Sequence, residues 1–369
     1  MTIQDITNEL EKWAPLDYAE DFDNTGLLVG DKTAEVTGIL VTLDCLEIVL
    51  DEAIEKNCNL VVSFHPILFS GLKKITGKNY VERAVTKAIK NDIAIYAIHT
   101  ALDNHHKGVN DIICDKLGLE NRKILIPQEK TIKKLTTYVP EKDADSVRNA
   151  LFKVGAGNIG NYSNCSFNSS GTGTFRGNEV SNPVIGERGK TQFEQEIQLN
   201  ITFSKHLESK ILQTLFKTHP YEEVAYEIVS LENLNQQIGI GMTGELPTAV
   251  SELEFLDLLK KTFHTGCVRH SEFIGKSIKK VAVLGGSGAF AIEKAKQENA
   301  DVLVTADLKY HDFFKAEKSI LLADIGHYES EQFTKNSIHS LLTKKIRNFA
   351  PALPKSRVIL SETNTNPIH

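Results

Sequence analysis

Continuous apolar segments alternating with amphipathic helical patterns occur at both ends of the chain, and they constrain its fold more than any other feature. Near the N-terminus they include VTGILVTLD, NLVVSFHP and IAIYAIHTALD, and after about Pro247 they include KKVAVLGGSG, ADVLVTAD and SILLADIGH. Apolar strands separated by helices are typical of a mostly parallel sheet covered on both faces. We therefore predict an α/β core built from N- and C-terminal segments, residues 1–130 and 247–369.

The middle of the chain has a different pattern. From about residue 132 to residue 231 the predicted elements follow the order strand, helix, two strands, helix, strand, with a polar stretch, NIGNYSNCSFNSSGTGTFRG, among them. This is the split, ferredoxin-like βαββαβ order. Because surface loops tolerate long insertions, we predict one inserted α+β domain at residues 131–246 rather than a string of three domains.

Composition narrows the class of protein. The chain has 369 residues, too many for one ordinary core, and its formal net charge of −6 is not typical of nucleic-acid or membrane-surface proteins. Its five cysteines form no C-x-x-C pair, so neither a disulfide framework nor a thiolate zinc site is indicated. No stretch approaches the roughly 18 apolar residues of a membrane span. We expect a soluble, cytoplasmic protein with reduced cysteines.

Polar side chains of one kind follow three of the predicted strands. His65 follows the strand that Pro66 ends, and the other two strands lead to the residues His99, Asp103, Asp324, His327, Glu329 and Glu331. All strand C-termini of a parallel sheet lie at one edge, so groups distant in sequence can converge there. His327 and Glu331 are four residues apart at the start of a predicted helix, which places both on one face.

Imidazole and carboxylate groups without cysteine are ligands that suit Zn²⁺, Fe²⁺ or Mn²⁺. Carboxylates can also bridge two cations, and such a pair would lower the pKa of a water between them. Two simpler interpretations remain. A single histidine at a strand end is commonly a satisfied polar residue, and His327 with Glu331 could be an exposed helix pair contributing about 0.3 kcal/mol.

The order and spacing of eight motifs resemble the NIF-three-like family (NGG-one-interacting-factor-three-like), whose members are called GTP cyclohydrolase 1 type 2 homologs. The motifs are EDFDNTGLLVG, SFHPILFSGLKKI, AIYAIHTALDNHHKGVND, GTGTFRG, HPYEEVAYEI, LGGSG, ADLKYHD and DIGHYESEQF. The resemblance covers essentially the whole chain. It implies a site for two divalent metal ions (Zn, Fe or Mn) per subunit, a homohexamer, and an insert similar to the PII/CutA type of module.

The resemblance also implies the metal ligands. The motifs carried over fall on His65, Asp103, His327 and Glu331. The family's His-His-Pro motif reads Phe64-His65-Pro66 here, and phenylalanine cannot bind metal, so we expect one of the two cations to be held weakly.

Two further side chains belong to this expected site. A water or a neighbouring side chain such as His99 could take the place of the histidine that Phe64 replaces. His311, in ADLKYHD, resembles a histidine that family members carry near the metals, and we assign it a proton-transfer role. The alternative for His311 is an ordinary surface histidine.

The segment AVLGGSGAFA allows two other interpretations. Gly286, Gly288 and Ala291 form a G-x-G-x-x-A pattern between a strand and a helix, with Asp307 ending the next strand, as in dinucleotide-binding folds. Ser287 could be a nucleophile, although Ala289 replaces the second glycine of a G-x-S-x-G elbow. We prefer a turn that lines the metal cleft and offers N–H groups to an anionic substrate.

Two functions of different classes follow. The first is a metal-dependent hydrolase that uses metal-bound hydroxide on a nucleotide-like substrate or on a cyclic amide or phosphate. The second is a non-catalytic protein that binds metal and a small ligand, acting as a carrier or a regulatory partner, with the insert as its reporting module. The sequence does not name the substrate or ligand, because analogy of fold does not establish a reaction.

Overall fold

The computed structural model describes residues 1–349 and 357–368. The chain forms two compact units, the first made of Met1–Pro127 and Gln236–His369 and the second of Gln128–Asn235. Among the described residues, no helix is long and apolar enough to cross a membrane.

The first unit contains a five-stranded sheet. Its strands, numbered in chain order, are β1 (Gly26–Val29), β2 (Ile39–Thr42), β3 (Leu60–Ser63), β4 (Ala94–Ala97) and β15 (Val358–Leu360). Their order in the sheet is β1-β4-β3-β2-β15, and all neighbours are parallel except β1 with β4. The carboxyl ends of β2, β3 and β4 therefore lie at one edge of the sheet.

A six-stranded sheet completes the first unit. Its strands are β5 (Glu120–Pro127), β10 (Gly239–Val250), β11 (Arg269–His270), β12 (Ile278–Ser287), β13 (Val302–Ala306) and β14 (Leu321–Asp324). The order is β11-β14-β13-β12-β10-β5, in which β12, β13 and β14 are parallel and the others antiparallel. Three parallel strands again end at one edge.

Helices cover both sheets. They are α1 (Ile3–Trp13), α2 (Glu47–Glu55), α3 (Tyr80–Lys90), α4 (His99–Asp103), α5 (Val109–Leu117), α8 (Glu252–Phe263), α9 (Ile292–Gln297), α10 (His327–Glu331) and α11 (Thr334–Phe349). Val62 packs in the core cluster that both sheets share, whereas its neighbour Val61 packs in a second cluster with residues of α2 and α3. Because both faces of these strands are buried, their sequences are continuously apolar.

The second unit is a four-stranded antiparallel sheet with two helices. The strands β6 (Ile132–Pro140), β7 (Phe167–Arg176), β8 (Thr191–Ser204) and β9 (Tyr226–Leu231) lie in the order β7-β8-β6-β9. The helices α6 (Ala144–Lys153) and α7 (Glu208–Thr218) supply Val147, Leu151, Ile211 and Leu215 to a core that belongs to this unit alone. The opposite face of the sheet carries no helix of this unit.

The structure differs from the sequence prediction in two respects. The first unit has two mixed sheets instead of one mostly parallel sheet, because antiparallel strands flank each parallel group. The second unit ends at Asn235, earlier than the predicted residue 246, because β10 pairs with β5 and β12 of the first unit. The chain leaves the first unit at the end of β5 and returns beside it at the start of β10. The two strands therefore run in opposite directions.

Candidate metal centre

His65 and Asp44 are placed side by side by two parallel strands. After β3 the backbone pairing with the β2 segment continues, since the Phe64 N–H donates to Thr42 O at 3.2 Å and the His65 N–H donates to Leu43 O at 2.9 Å. The His65 side chain therefore emerges beside Asp44 at the carboxyl edge of the five-stranded sheet.

His327 and Glu331 come from the six-stranded sheet. They lie in the short helix α10, which follows β14, and their spacing of four residues puts them on one helical face. The Gly286 N–H, at the end of β12, donates to Ser330 Oγ of α10 at 3.0 Å and holds the helix against the strand.

Three ligand atoms converge at this place. His65, His327 and Glu331 each offer one atom, and all three atoms lie within 4.8 Å of one another. Glu331 Oε2 lies 3.0 Å from His65 Nε2 and 3.2 Å from His327 Nε2, and the Glu331 side chain is only 3% exposed. Two imidazoles and one buried carboxylate are a donor set that suits a divalent metal ion.

A second carboxylate orients each imidazole. His65 Nδ1 lies 2.8 Å from Asp44 Oδ1, and His327 Nδ1 lies 2.7 Å from Asp307 Oδ2. A carboxylate can only accept, so each Nδ1 carries a proton, and each Nε2 faces the Glu331 carboxylate. Carboxylate–imidazole pairs of this kind commonly orient metal-binding histidines in proteins.

Two buried carboxylate oxygens at this place accept no hydrogen bond from the described residues. They are Glu331 Oε2 and Asp103 Oδ1, and Asp103 ends helix α4 with only 7% of its surface exposed. A buried oxygen without a donor is costly unless a cation balances it. The residues present therefore fit a metal ion.

The electrostatics of the group favour positive charge. Although burial alone would lower them, Glu331 and Asp44 raise the pKa of His65 to about 10, and Glu331 and Asp307 raise the pKa of His327 to about 9. Burial and the Glu331 carboxylate raise the pKa of Asp103 well above its usual value. A field that retains protons so strongly also attracts a divalent cation, which is the charge that would displace them.

The structure does not bring every sequence candidate into this group. Asp103 is buried near Glu331 but is not one of the three mutually close ligands. Asp324 instead accepts hydrogen bonds from the Arg269 guanidinium and the Leu308 N–H. Glu329 accepts from the Asn366 amide at 3.0 Å.

The other two histidines also lie outside the three-ligand group. His99 is the first residue of α4, and its Nδ1 is 2.8 Å from Asp23 Oδ1. His311 is exposed on a helical turn, where its ring contacts Tyr310 and Phe314. Its proton-transfer role stays a prediction.

The glycine-rich turn has a steric relation to the ligands. Gly286 has φ +68°, and a Cβ atom there would lie 2.5 Å from Glu331 Oε1 and 3.4 Å from the His327 ring. The Ser287 hydroxyl donates to Asp307, the residue that orients His327. The turn thus leaves room for the Glu331 carboxylate and supports the neighbouring pair, and neither role requires a dinucleotide.

Sequence reasoning missed the carboxylates that orient the histidines. Neither Asp44 nor Asp23 is a candidate by residue pattern, and the sequence assigns Asp307 only to the alternative nucleotide site. A signal was present for two of them, because Asp44 and Asp307 follow strands that neighbour those leading to His65 and His327. Pairing each strand-end histidine with the strand-end carboxylate of the next strand would have found them.

A family model and a related protein both match nearly the whole chain. Residues 1–367 match the model of a family described as Duf34/NIF3 (NGG1p interacting factor 3). A Bacillus subtilis protein named GTP cyclohydrolase 1 type 2 homolog is 38% identical over 366 residues, which are 99% of this chain and 97% of that protein.

Two crystal structures are similar over the same length. A Bacillus cereus protein related to NIF3 has a TM-score of 0.85 at 34% identity, covering 100% of this chain and 99% of that one. A Staphylococcus aureus protein has a TM-score of 0.76 at 29% identity, covering 100% and 98%. The mixed α/β architecture with several sheets is thus shared with solved structures.

Proposed function

Because the chain belongs to the Duf34/NIF3 family, we propose that it is a metal-dependent hydrolase whose metal is held by His65, His327 and Glu331. One observation carries this proposal. The buried Glu331 Oε2 lies within 3.2 Å of two imidazole Nε2 atoms, and each of those imidazoles has its Nδ1 bonded to an aspartate. Such an arrangement would offer one cation two Nε2 lone pairs and a carboxylate oxygen once the cation has displaced the Nε2 protons.

Asp103 is a further buried carboxylate near Glu331. We propose that Asp103, with its unpaired Oδ1, contributes to a second and weaker cation, since Phe64 offers no lone pair beside it. Oxygen and imidazole ligands suit Zn, Fe or Mn. A divalent cation bound there would supply Lewis acidity, which lowers the pKa of water and polarises carbonyl or phosphoryl oxygens.

The chain's own residues would position this chemistry. Asp44 and Asp307 keep the protons on the Nδ1 atoms and fix the orientation of His65 and His327. His311, exposed on its helical turn, is proposed to transfer protons. Gly286 leaves free the space that the Glu331 carboxylate occupies, because it carries no Cβ atom.

The proposed substrate is nucleotide-like, or a cyclic amide or phosphate. The name of the Bacillus subtilis relative supports this class, as does a donor set without cysteine, which suits hydrolysis rather than electron transfer. A non-catalytic role in binding metal and a small ligand is the second candidate. It is favoured by a cavity in the second unit that contains none of the proposed metal ligands.

The assembly and location are proposals as well. We propose a cytoplasmic homohexamer, with the second unit as a module of the PII/CutA type. The element order β6-α6-β7-β8-α7-β9 and the sheet order β7-β8-β6-β9 support that assignment, because they are those of a ferredoxin-like module.

Two paired variants test the metal group. Glu331→Gln should lower the metal content at least about tenfold, since the loss of a group that only supports a ligand commonly lowers metal affinity by that factor. Its circular dichroism spectrum should equal that of the wild type. Glu329→Gln, two residues away on the same helix, should keep its metal. Elemental analysis of freshly purified proteins measures the difference, and full metal content in a folded Glu331→Gln protein would contradict the site.

Activity needs a separate measurement. The wild-type protein, stripped with a chelator and reloaded with Zn²⁺, Mn²⁺ or Fe²⁺, should hydrolyse at least one compound in a panel of nucleoside triphosphates, cyclic nucleotides and cyclic amides. Turnover should disappear in Glu331→Gln and persist in Glu329→Gln. Metal binding without turnover of any compound would favour the non-catalytic candidate.

A further inference from the structure

A cavity of about 620 Å³ lies within the second unit. It lies against the sheet face that carries no helix, and its walls are the loops that follow β7 and α7, which contribute six residues between 177 and 185 and four between 221 and 225. The two loops are joined, because the Asn182 N–H donates to Glu222 Oε2 at 2.7 Å. A volume of this size is typical of small-molecule sites.

A buried carboxylate forms part of the cavity floor. Glu196 of β8 is only 8% exposed, and its Oε1 accepts a hydrogen bond from the Tyr221 hydroxyl at 2.7 Å. Burial and the Glu196 carboxylate raise the pKa of Tyr221, so its hydroxyl remains a donor. Gly173 of β7 makes room for this arrangement, since a Cβ atom there would lie 2.0 Å from Glu196 Oε2.

The remaining lining combines aromatic and aliphatic residues with small polar ones, and its charged residues are mostly acidic. Three aromatic residues line the cavity, and the rings of Phe175 and Tyr221 meet edge to face at 5.6 Å. The charged lining residues are Glu196, Glu222, Glu223 and Arg176. Aromatic faces and a buried carboxylate both attract an organic cation, whereas an organic anion would meet the repulsion of Glu196.

We propose that this cavity binds a small organic amine, with an apolar or aromatic body among the rings and a protonated amino group on Glu196. All lining residues belong to the second unit, so this site is separate from the proposed metal ligands and does not depend on them. The second unit would then have a ligand of its own. Neither metal binding nor the proposed hydrolysis requires that ligand.

Three probes with the same body separate the chemistry. Tyramine carries an ammonium group, tyrosol a hydroxyl and 4-hydroxyphenylacetate a carboxylate. With the full-length protein, titration calorimetry and saturation-transfer NMR should show saturable tyramine binding in roughly the millimolar range or tighter. Tyrosol should bind at least about tenfold more weakly and 4-hydroxyphenylacetate not at all.

Variants locate the binding. Gly171 of β7 is paired with Glu196, and a Cβ atom there would meet no other atom within 4 Å, so Gly171→Leu should fill the cavity and abolish tyramine binding. Asn168→Leu adds the same side chain on the same strand outside the cavity lining and should bind normally. Glu196→Gln keeps the shape but loses the charge, and should weaken tyramine about tenfold while leaving tyrosol unchanged.

The outcomes are distinct from those of the metal experiments. Metal content should be unchanged in Gly171→Leu and Glu196→Gln, because the proposed metal ligands lie in the first unit. Circular dichroism and cooperative urea unfolding equal to those of the wild type show that the second unit is folded in both variants. The proposal is overturned if tyramine does not saturate the protein, if tyrosol binds as well as tyramine, or if Gly171→Leu leaves tyramine binding intact.

Discussion

Three histidines that follow strands of the five-stranded and six-stranded sheets share one feature. In each, Nδ1 is hydrogen-bonded to an aspartate carboxylate. His65 pairs with Asp44 and His327 with Asp307, and their Nε2 atoms converge on Glu331. The third pair is His99 with Asp23, and it lies against Phe64, whose ring is 5.5 Å from that of His99 and 4.9 Å from that of His65. The rings of His65 and His99 also contact each other at 5.2 Å, so Phe64 packs against a pair of oriented imidazoles.

Phe64→His should increase the metal held per subunit. The Phe64 side chain is fully buried and contacts both histidine rings, so an imidazole there would bring a lone pair next to the proposed second cation. The new ligand should slow metal loss to a chelator about tenfold or more. Burying an imidazole in place of a phenyl ring should also lower the free energy of unfolding, by about 1–3 kcal/mol.

Phe64→Leu is the matched control, because it removes the ring without adding a ligand atom. Metal per subunit is measured before and after a chelator challenge in the wild type and in both variants. Two tightly held ions in the wild type, with no gain in Phe64→His, would show that another group already replaces the missing ligand. His99→Ala would then identify whether that group is His99.

At the scale of elements, the sequence predicts most strands and helices but not how the strands are grouped. Periodicity identifies a buried strand such as β3 or β13, because both faces are apolar. It does not tell which strands pair, so the division into two sheets and the place of β10 were not predicted. That information lies in packing between distant segments, which a local pattern does not contain.

The candidate site shows the same limit. His65 is conspicuous, because Pro66 ends its strand, and His327 with Glu331 are recognisable by their spacing. Asp44 and Asp307 are single carboxylates in unremarkable positions. Their role depends on the neighbouring strand, and only the strand order places each beside its histidine.

The segment after β15 is held by one carboxylate of α2. Glu52 accepts hydrogen bonds from the Ser361 hydroxyl at 2.6 Å, the Thr363 hydroxyl at 2.7 Å, the Glu362 N–H at 3.1 Å and the Lys56 ammonium at 2.9 Å. Burial alone would raise the pKa of Glu52, but these donors lower it to about 2 from its ordinary 4.5. The ionised carboxylate therefore stabilises the folded state above pH 4.5.

Glu52→Gln should lower the free energy of unfolding by about 1–3 kcal/mol at neutral pH. Because the folded-state pKa is depressed, the advantage of the wild type should shrink as the pH falls from 4.5 toward 2. Urea unfolding of both proteins across this range measures the difference. Glu55→Gln, at the exposed end of the same helix, is the control. An equal effect of both substitutions at every pH would contradict the stabilising role of the Glu52 carboxylate.

For the whole molecule, the division of the core into clusters indicates two units that can fold separately. The apolar cluster of the second unit is made only of residues within 128–235, and the three clusters of the first unit contain none of them. The junction is also favourable, because Pro127 at the end of β5 is the register partner of Gly239 at the start of β10. The first unit's chain ends are therefore adjacent.

Replacing Gln128–Asn235 by a Gly-Ser dipeptide should give a folded protein that keeps its metal. Gln236 is retained because its side-chain oxygen accepts from the Ile124 N–H at 3.1 Å, and the new connection then falls within the two to about five residues of ordinary hairpin loops. None of the proposed metal ligands lies in the excised unit, so metal per subunit should equal that of the full chain. Cooperative urea unfolding and elemental analysis measure both properties.

The control is the shortened protein with Glu331→Gln, which should fold but lose its metal. Its loss of metal would show that the proposed ligands hold the metal in the shortened protein. Because long-range strand pairing between β5 and β10 closes a shorter loop after excision, refolding should not be slower than in the full chain. Linkers of two, four and six residues remove strain at the junction as an explanation of failure. Aggregation with loss of metal at every linker length would show that the first unit requires the second in order to fold.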